Sequence, residues 1–179
     1  MKTRPTRGFV QQGRNNGTEW ISALPGGAAD SDPWLSYWRG MCFFPADMPH
    51  ARDYFEKAFT SFAARDNAAG LYLSWSGIVD TYAFELDDWK RLDTCIASFD
   101  TLRKTHPSFP SKDVEIIASS RMLIALTLRR TDRPQRVHGW LARVNALLQE
   151  NPSFEIQMDT AFCMILYHLW KGEYHKNAI

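Results

Sequence analysis

The stretch ARDYFEKAFTSF, residues 51–62, decides the fold class of this chain. Its apolar residues recur at i, i+4, i+7, i+8 and i+11, so an α-helix carries all of them on one face. Charged and polar residues fill most of the remaining positions. The pattern predicts an amphipathic helix over about residues 48–64 that buries one face in a core. That face consists of Ala51, Phe55, Ala58, Phe59 and Phe62.

Six further segments show helical periodicity, and strand patterns are nearly absent. Each segment follows residues that commonly begin a helix, because their side chains accept hydrogen bonds from free backbone N–H groups. These starts are Asp32-Pro33, Asp66-Asn67, Asp87-Asp88, Ser111, Asp132 with Gln135, and Asn151-Pro152. The predicted helices cover about 33–43, 48–64, 67–84, 88–104, 112–130, 133–149 and 153–171. Short connections predict that sequential helices pair as hairpins.

Composition favours a folded domain with almost no net charge over a disordered or nucleic-acid-binding chain. The 179 residues are 45% hydrophobic, and 21 Lys and Arg against 20 Asp and Glu leave a net charge of +1. No overall field therefore draws the protein toward nucleic acid or an anionic membrane. Apolar runs such as Met122–Leu126 are far shorter than the roughly 18 residues that a bilayer span needs. We expect neither nucleic acid nor membrane as a partner.

The first residues differ from the rest. Lys2, Arg4, Arg7 and Arg14 all precede the first acidic residue, Glu19. No apolar stretch typical of a secretory signal follows them. We therefore divide the chain into a flexible basic arm, 1–18, and a helical domain, 19–179. Three widely spaced cysteines in apolar helical patterns are typical of reduced, buried thiols in a cytoplasmic protein.

The helical segments repeat. Gly40 and Gly77 lie 37 residues apart, in Trp-Arg-Gly-Met (38–41) and Trp-Ser-Gly-Ile (75–78). The same shift relates the apolar face of the helix predicted at 48–64 to that of the helix predicted at 88–104. It carries Phe55 onto Leu92, Phe59 onto Ile96 and Phe62 onto Phe99. Repetition favours a solenoid over a closed bundle.

Two consecutive predicted helices resemble the tetratricopeptide repeat. The first carries Trp or Tyr and then Gly, and the second carries small, large and small residues at Ala51, Phe55 and Ala58. More closely, residues 20–25 (WISALP), 32–40 and 71–80 resemble the superhelical repeat region of large bacterial MalT-like transcriptional regulators. The resemblance implies an all-α fold, an α-α superhelix of about seven helices. It also implies a concave surface that binds protein segments or small effectors in a signalling or regulatory system.

The resemblance also implies which residues point into the groove, once Gly40 and Gly77 are taken as the glycines that pack between helices. They are Trp34, Tyr37, Met41, Ser74, Ile78, Thr81 and Tyr82. Trp and Tyr offer large rigid contact area with a polar tip, which suits a binding surface. The same residues would also suit the core between repeats, so both interpretations stay open.

Motifs for catalysis or metal binding are absent from the sequence. It contains no CxxC, HExxH or GxSxG pattern and no glycine-rich phosphate loop. The carboxylates Glu85, Asp87 and Asp88 are explained by the start of a helix, where negative charge is favourable. We therefore expect no metal, no cofactor and a non-catalytic binding or scaffolding module. The alternatives are an all-α enzyme with scattered acid and histidine residues, and a small-ligand carrier.

Two further surfaces are candidates for partner binding. Four arginines flank one helix–helix turn: Arg129, Arg130, Arg133 and Arg136. They fit either a solvated turn or a site for an anionic partner. The last helix is apolar on two sides, one with Phe154, Met158, Ala161, Phe162, Ile165 and Leu169, the other with Ile156, Cys163, Leu166, Tyr167 and Trp170. A helix that is apolar on both sides is normally buried on both sides. We predict a homodimer, or the continuation of a longer array, through Leu166, Tyr167 and Trp170.

Overall fold

The structure is a computed structural model that describes residues 32–86, 88–129 and 134–171. This part of the chain is all-α, as predicted: it forms seven helices and no strand. The helices are α1 (Pro33–Phe43), α2 (Met48–Ala63), α3 (Ala68–Glu85), α4 (Arg91–Thr105), α5 (Lys112–Leu128), α6 (Pro134–Leu148) and α7 (Phe154–Lys171). None of these helices combines the length and the apolar character that a membrane span requires. The predicted basic arm, 1–18, lies outside the described residues.

Side-chain caps begin four of the helices, three of them at residues that the sequence indicates. The carboxylates of Asp32 and Asp47, the amide of Asn67 and the hydroxyl of Ser111 each accept a hydrogen bond from a backbone N–H in the first turn. Such caps satisfy donors that have no partner within the helix. This local chemistry explains why most predicted helix starts lie within a residue of the observed ones.

One predicted start and one predicted cap were wrong. Helix α4 begins at Arg91 rather than 88, because Trp89 and Lys90 form a turn in which Asp88 Oδ1 accepts from the Lys90 N–H at 3.0 Å. Asn151 does not cap α7, since its φ of 54° places it in the left-handed region. Ser153 takes that role instead, and its hydroxyl lies 3.5 Å from the Ile156 N–H.

The helices pack on one another in two series. From α1 to α6, each helix contacts the next one along the chain. In addition α1 contacts α3, α3 contacts α5, and α5 contacts α7. Helices α3 and α5 therefore lie in the middle of the array, and most of their residues are buried. The outer helices α1 and α7 have few buried residues, three in each.

The phenyl ring of Phe55 lies between two glycines of alternate helices. A Cβ placed on Gly40 would fall 2.6 Å from this ring, and one on Gly77 would fall 2.8 Å from it. Both glycines are needed for α1 and α3 to approach α2 so closely. Gly70 lies equally close to the ring of Phe62. The two glycines picked out by their 37-residue spacing are therefore packed against the same core residue.

Two of the three residue pairs related by the 37-residue shift are also buried alike, whereas Phe59 is half-buried and its counterpart Ile96 is buried. Phe55 and its counterpart Leu92 are buried, and so are Phe62 and its counterpart Phe99. Phe99 packs against Trp75 with a centroid separation of 4.5 Å. The Trp75 indole N–H then donates to the Cys95 carbonyl at 2.8 Å. Helices α2 and α4 thus present corresponding faces to α3.

Candidate functional site

A cleft opens between α2 and α4, with α3 as its floor. Its volume is about 360 Å³, within the range of small ligand pockets. The floor is largely aromatic and aliphatic, and polar groups from both walls surround it. The lining residues are Glu56 and Phe59 from α2, Trp75, Ile78 and Tyr82 from α3, and Arg91, Thr94, Cys95 and Ser98 from α4. An apolar floor with a few polar groups around it is the usual character of a binding pocket.

One end of this cleft is formed around the ring of Tyr82. The guanidinium of Arg52 lies 3.9 Å from the ring centroid, and that of Arg91 lies 6.0 Å from it. Arg52 also pairs with Glu85 and donates from Nε to Thr81 Oγ1 at 3.1 Å. The ion pair and the hydrogen bond hold the guanidinium of Arg52 in place. Cation–π attraction between this guanidinium and the ring of Tyr82 then fixes the ring.

A smaller cavity of about 130 Å³ adjoins the Tyr82 end of the cleft. It is lined by Arg52, Tyr82, Glu85, Asp88 and Arg91. Its two arginines are matched by two carboxylates, and Glu56 adds a further negative charge in the main cleft. The lining of the two cavities therefore has no excess of positive charge.

The predicted groove residues fall in three different environments. Ile78 and Tyr82 line the cleft. Trp34 and Tyr37 are half-buried, the first packed on Phe62 with centroids 4.7 Å apart and the second on Phe55 at 5.7 Å. The other three divide between surface and interior: Met41 is exposed on α1, whereas Ser74 and Thr81 are fully buried within α3. The seven residues therefore do not form one open surface.

Most of the cleft was not predicted from the sequence. Glu56, Phe59, Arg91, Thr94 and Ser98 carry no motif, and their two helices both pack on α3. The apolar pattern around Cys95 indicated that this thiol is buried, which it is, but it did not show that a cavity lies above it. The only available signal was the polar positions beside the apolar stripes of α2 and α4.

The predicted arginine patch is engaged with carboxylates of α4. Arg129 donates to both carboxylate oxygens of Asp93, each at 2.7 Å, and Arg136 pairs with Asp100. Arg130 and Arg133 lie outside the described residues. Any anion that binds Arg129 or Arg136 must compete with these intramolecular partners.

A buried ion-pair network joins three of the alternate helices. Arg121 of α5 donates to Asp80 of α3 at 3.0–3.1 Å and to Asp159 of α7 at 2.7 Å. Burial opposes the charge of Arg121, but the two carboxylates outweigh it and hold its pKa well above the usual value. Burial, assisted by the nearby Asp80, also raises the pKa of Tyr37 to about 12. The network holds α3, α5 and α7 together with charges that cannot be left unpaired.

The described residues contain no group of three or more His, Cys, Asp or Glu side chains that could hold a metal ion. Cys95 and Cys163 are buried free thiols, and Cys42 is half-buried. Burial raises the pKa of Cys95 and of Cys163 to about 12. These two thiols are therefore protonated and unreactive near neutral pH.

The two apolar sides of α7 have different environments. Cys163 and Tyr167 are buried, and Leu166 packs against the small buried cluster that contains Cys163 and Ile124 of α5. Trp170 is partly exposed, and its ring is roughly perpendicular to that of Trp89, with centroids 5.2 Å apart. The predicted self-association residues Leu166, Tyr167 and Trp170 thus lie on the side that faces the rest of the chain.

The opposite side of α7 is open, and we name its residues the α7 stripe. The stripe consists of Phe154, Met158, Phe162, Ile165 and Leu169, which are between 40% and 71% exposed. Phe162 also stacks on Phe84 at the end of α3, with centroids 5.5 Å apart. Helix α5 covers one side of α7, and among the described residues the other side is largely exposed apart from this contact of Phe162.

Comparison with models of known protein families, with curated proteins and with solved structures found no match to this chain.

Proposed function

We propose that this protein is a non-catalytic binding module built as a tetratricopeptide-like α-α superhelix. The observation that carries the proposal is the packing of alternate helices, α1 on α3, α3 on α5 and α5 on α7. Each step of a helical-repeat solenoid has such a contact between corresponding helices. The shared position of Gly40 and Gly77 on Phe55 supports the same repeating unit.

The cleft between α2 and α4 is the binding site in this proposal. Its floor of Trp75, Ile78 and Tyr82 suits a large apolar side chain, and Tyr82 is held by Arg52 and Arg91. Aromatic residues at the centre of a contact provide most of the binding free energy in protein interfaces. Balanced charges around the floor suit the amide groups of a polypeptide better than a free anion.

The partner is thus a polypeptide segment that inserts one aromatic or long aliphatic side chain. The polar groups of Glu56, Thr94 and Ser98 stand at the walls of the cleft, where they can bond to the backbone of such a segment. By its resemblance to the repeat region of MalT-like regulators, we place this module in a cytoplasmic signalling or regulatory system.

A peptide-display selection on the immobilised protein tests the site. Thr94 is exposed and lines the cleft, so Thr94→Trp should fill the entrance without disturbing the core. Thr101 is an exposed residue two turns further along α4 and is not part of the lining, which makes Thr101→Trp a matched control. Selected peptides should share an apolar anchor, and Thr94→Trp should weaken their binding at least about tenfold.

Two results would count against the site. Peptides that bind Thr94→Trp and wild type equally well would place the binding surface elsewhere. A selection that yields no consensus with an apolar anchor would remove the polypeptide partner from the proposal.

A small-ligand carrier is the second candidate, because a cleft of about 360 Å³ is also large enough for a small apolar molecule. Native mass spectrometry of the purified protein distinguishes the two. A bound molecule that is present in wild type and in Thr101→Trp, and absent from Thr94→Trp, would favour the carrier.

A further inference from the structure

We infer that the segment bound in the cleft is basic, and that it places a Lys or Arg side chain against Glu56 and Asp53 of α2, close in sequence to its apolar anchor. The inference rests on the proposed function, because it names the chemistry of the partner at the same cleft. It follows from the cavities and charges on both sides of Glu56.

Glu56 also lines a second, more polar hollow, which we name the α2 hollow. Its volume is about 700 Å³. The lining consists of Ser36 of α1 and Asp53, Glu56, Lys57, Thr60 and Ser61 of α2. All of these residues are polar or charged, whereas the floor of the cleft is aromatic and aliphatic. Since Glu56 belongs to both linings, one bound segment can fill the cleft and continue into the α2 hollow.

The carboxylates of Asp53 and Glu56 are open to a partner. Both residues are exposed, and no ion pair within the described part of the chain involves either of them. Lys57 is the basic residue of the α2 hollow, and its ammonium lies 5.3 Å from the centroid of Tyr54, which is not part of the lining. The α2 hollow therefore carries more negative than positive charge.

The arginines at the Tyr82 end of the cleft have other partners than Glu56. Arg52 pairs with Glu85. Contact with Tyr82 raises the pKa of Arg91, and the charges of nearby carboxylates raise it further. The negative charge of Glu56 is therefore not neutralised by these arginines.

The charge of Glu56 also acts on the interior of the cleft. Burial raises the pKa of Cys95 to about 12, and the charge of Glu56 contributes to this rise. Arg52 acts in the opposite direction, but more weakly. A cationic group that lies beside the apolar anchor is thus in a favourable electrostatic environment.

The width of α2 sets the spacing between the anchor and the basic residue. A helix with its side chains is about 10 Å across, and an extended chain advances about 3.3 Å per residue. A segment that crosses α2 from the cleft to Asp53 therefore needs about three residues. Glu56 lies nearer to the anchor, since it lines the cleft itself.

Peptide display on immobilised variants tests the inference. Wild type should select peptides that have an apolar anchor and a Lys or Arg within about three positions of it. The double variant Asp53→Asn/Glu56→Gln should select the same anchor without the basic residue. The control, Asp113→Asn/Glu155→Gln, removes the same charge from exposed carboxylates of α5 and α7 that line none of these cavities, and should select as wild type does. Circular dichroism checks that both double variants keep the helical fold.

The affinity of a synthetic peptide from the wild-type selection gives the size of the effect. The double variant Asp53→Asn/Glu56→Gln should bind this peptide about three- to tenfold more weakly at low salt, because each exposed ion pair contributes little. Most of the loss should lie in the association rate, since charges at the edge of a site mainly steer the encounter. High salt should remove the difference from wild type.

Three results would overturn the inference: wild-type selections without basic residues, the same basic preference in Asp53→Asn/Glu56→Gln, or an equal loss of that preference in the control. If the selected peptides still lose binding to Thr94→Trp, the cleft remains the binding site and only the charge preference is wrong. Peptides that bind Thr94→Trp as well as wild type would contradict the cleft itself, and the inference with it.

Discussion

Helices α5 and α7 have nearly the same length, 17 and 18 residues, and both are apolar on more than one side, yet their environments differ. The run Met122–Leu126 of α5 is buried throughout, because α3, α4, α6 and α7 all contact this helix. On α7 only Thr160, Cys163 and Tyr167 are buried. An apolar face therefore predicts that a helix packs against a neighbour, but the arrangement of the other helices determines whether that face is covered.

The largest expected effect comes from the ion-pair network that joins these two helices. Arg121→Met should lower the free energy of unfolding by about 3–5 kcal/mol, since Asp80 and Asp159 lose the partner of their charges. Urea unfolding followed by circular dichroism measures this loss. The matched control, Lys112→Met, removes an exposed pair with Glu150 and should cost less than about 1 kcal/mol. Equal losses for the two variants would mean that the network does not hold α7 on α5.

A direct comparison of α5 and α7 uses one apolar truncation in each. Leu123→Ala removes a fully buried side chain and should cost about 2–5 kcal/mol. Ile165→Ala removes a side chain of the α7 stripe that is 55% exposed, and should cost less than about 1 kcal/mol. Urea unfolding at a protein concentration too low for dimers measures both. If Ile165→Ala costs as much as Leu123→Ala, the stripe is covered within the monomer.

Two glycines extend the comparison to covered and open helix faces. Gly77→Ala places a methyl group about 2.8 Å from the Phe55 ring and should cost about 1–3 kcal/mol through overpacking. Gly139 lies inside α6 with no atom of another residue near its Cβ position, so Gly139→Ala should stabilise the protein by about 0.5–1 kcal/mol. Thermal unfolding of both variants checks the opposite signs. A stabilising Gly77→Ala would show that α1, α2 and α3 pack less closely than described.

The smallest effect is chemical and leaves stability unchanged. Cys163 lies on the covered side of α7, and burial raises its pKa to about 12, so at pH 8 only about one molecule in ten thousand carries the thiolate. Iodoacetamide should therefore modify the half-buried Cys42 and leave Cys95 and Cys163 unmodified. Peptide mass spectrometry after timed labelling reads each site. Rapid labelling of Cys163 would mean that α7 separates from α5 in the native state.

The cleft shows where reasoning from the sequence reaches its limit for the candidate site. Ile78 and Tyr82 were predicted as binding residues, and they do line the cleft. Ser74 and Thr81, assigned by the same rule, are fully buried, because α3 packs against four other helices. A rule for positions along one helix gives no information about how closely its two neighbours approach.

Local chemistry alone determined the seven helices and most of their first residues. Caps act over two or three residues, and a helical period shows which side chains share a face, so both can be read from one stretch of chain. The tertiary structure alone decided three features: the cleft, the partners of Arg121, which lie 41 and 38 residues away, and the side of α7 that remains open. Periodicity groups residues on a face, but only the packing of distant helices determines which face is covered.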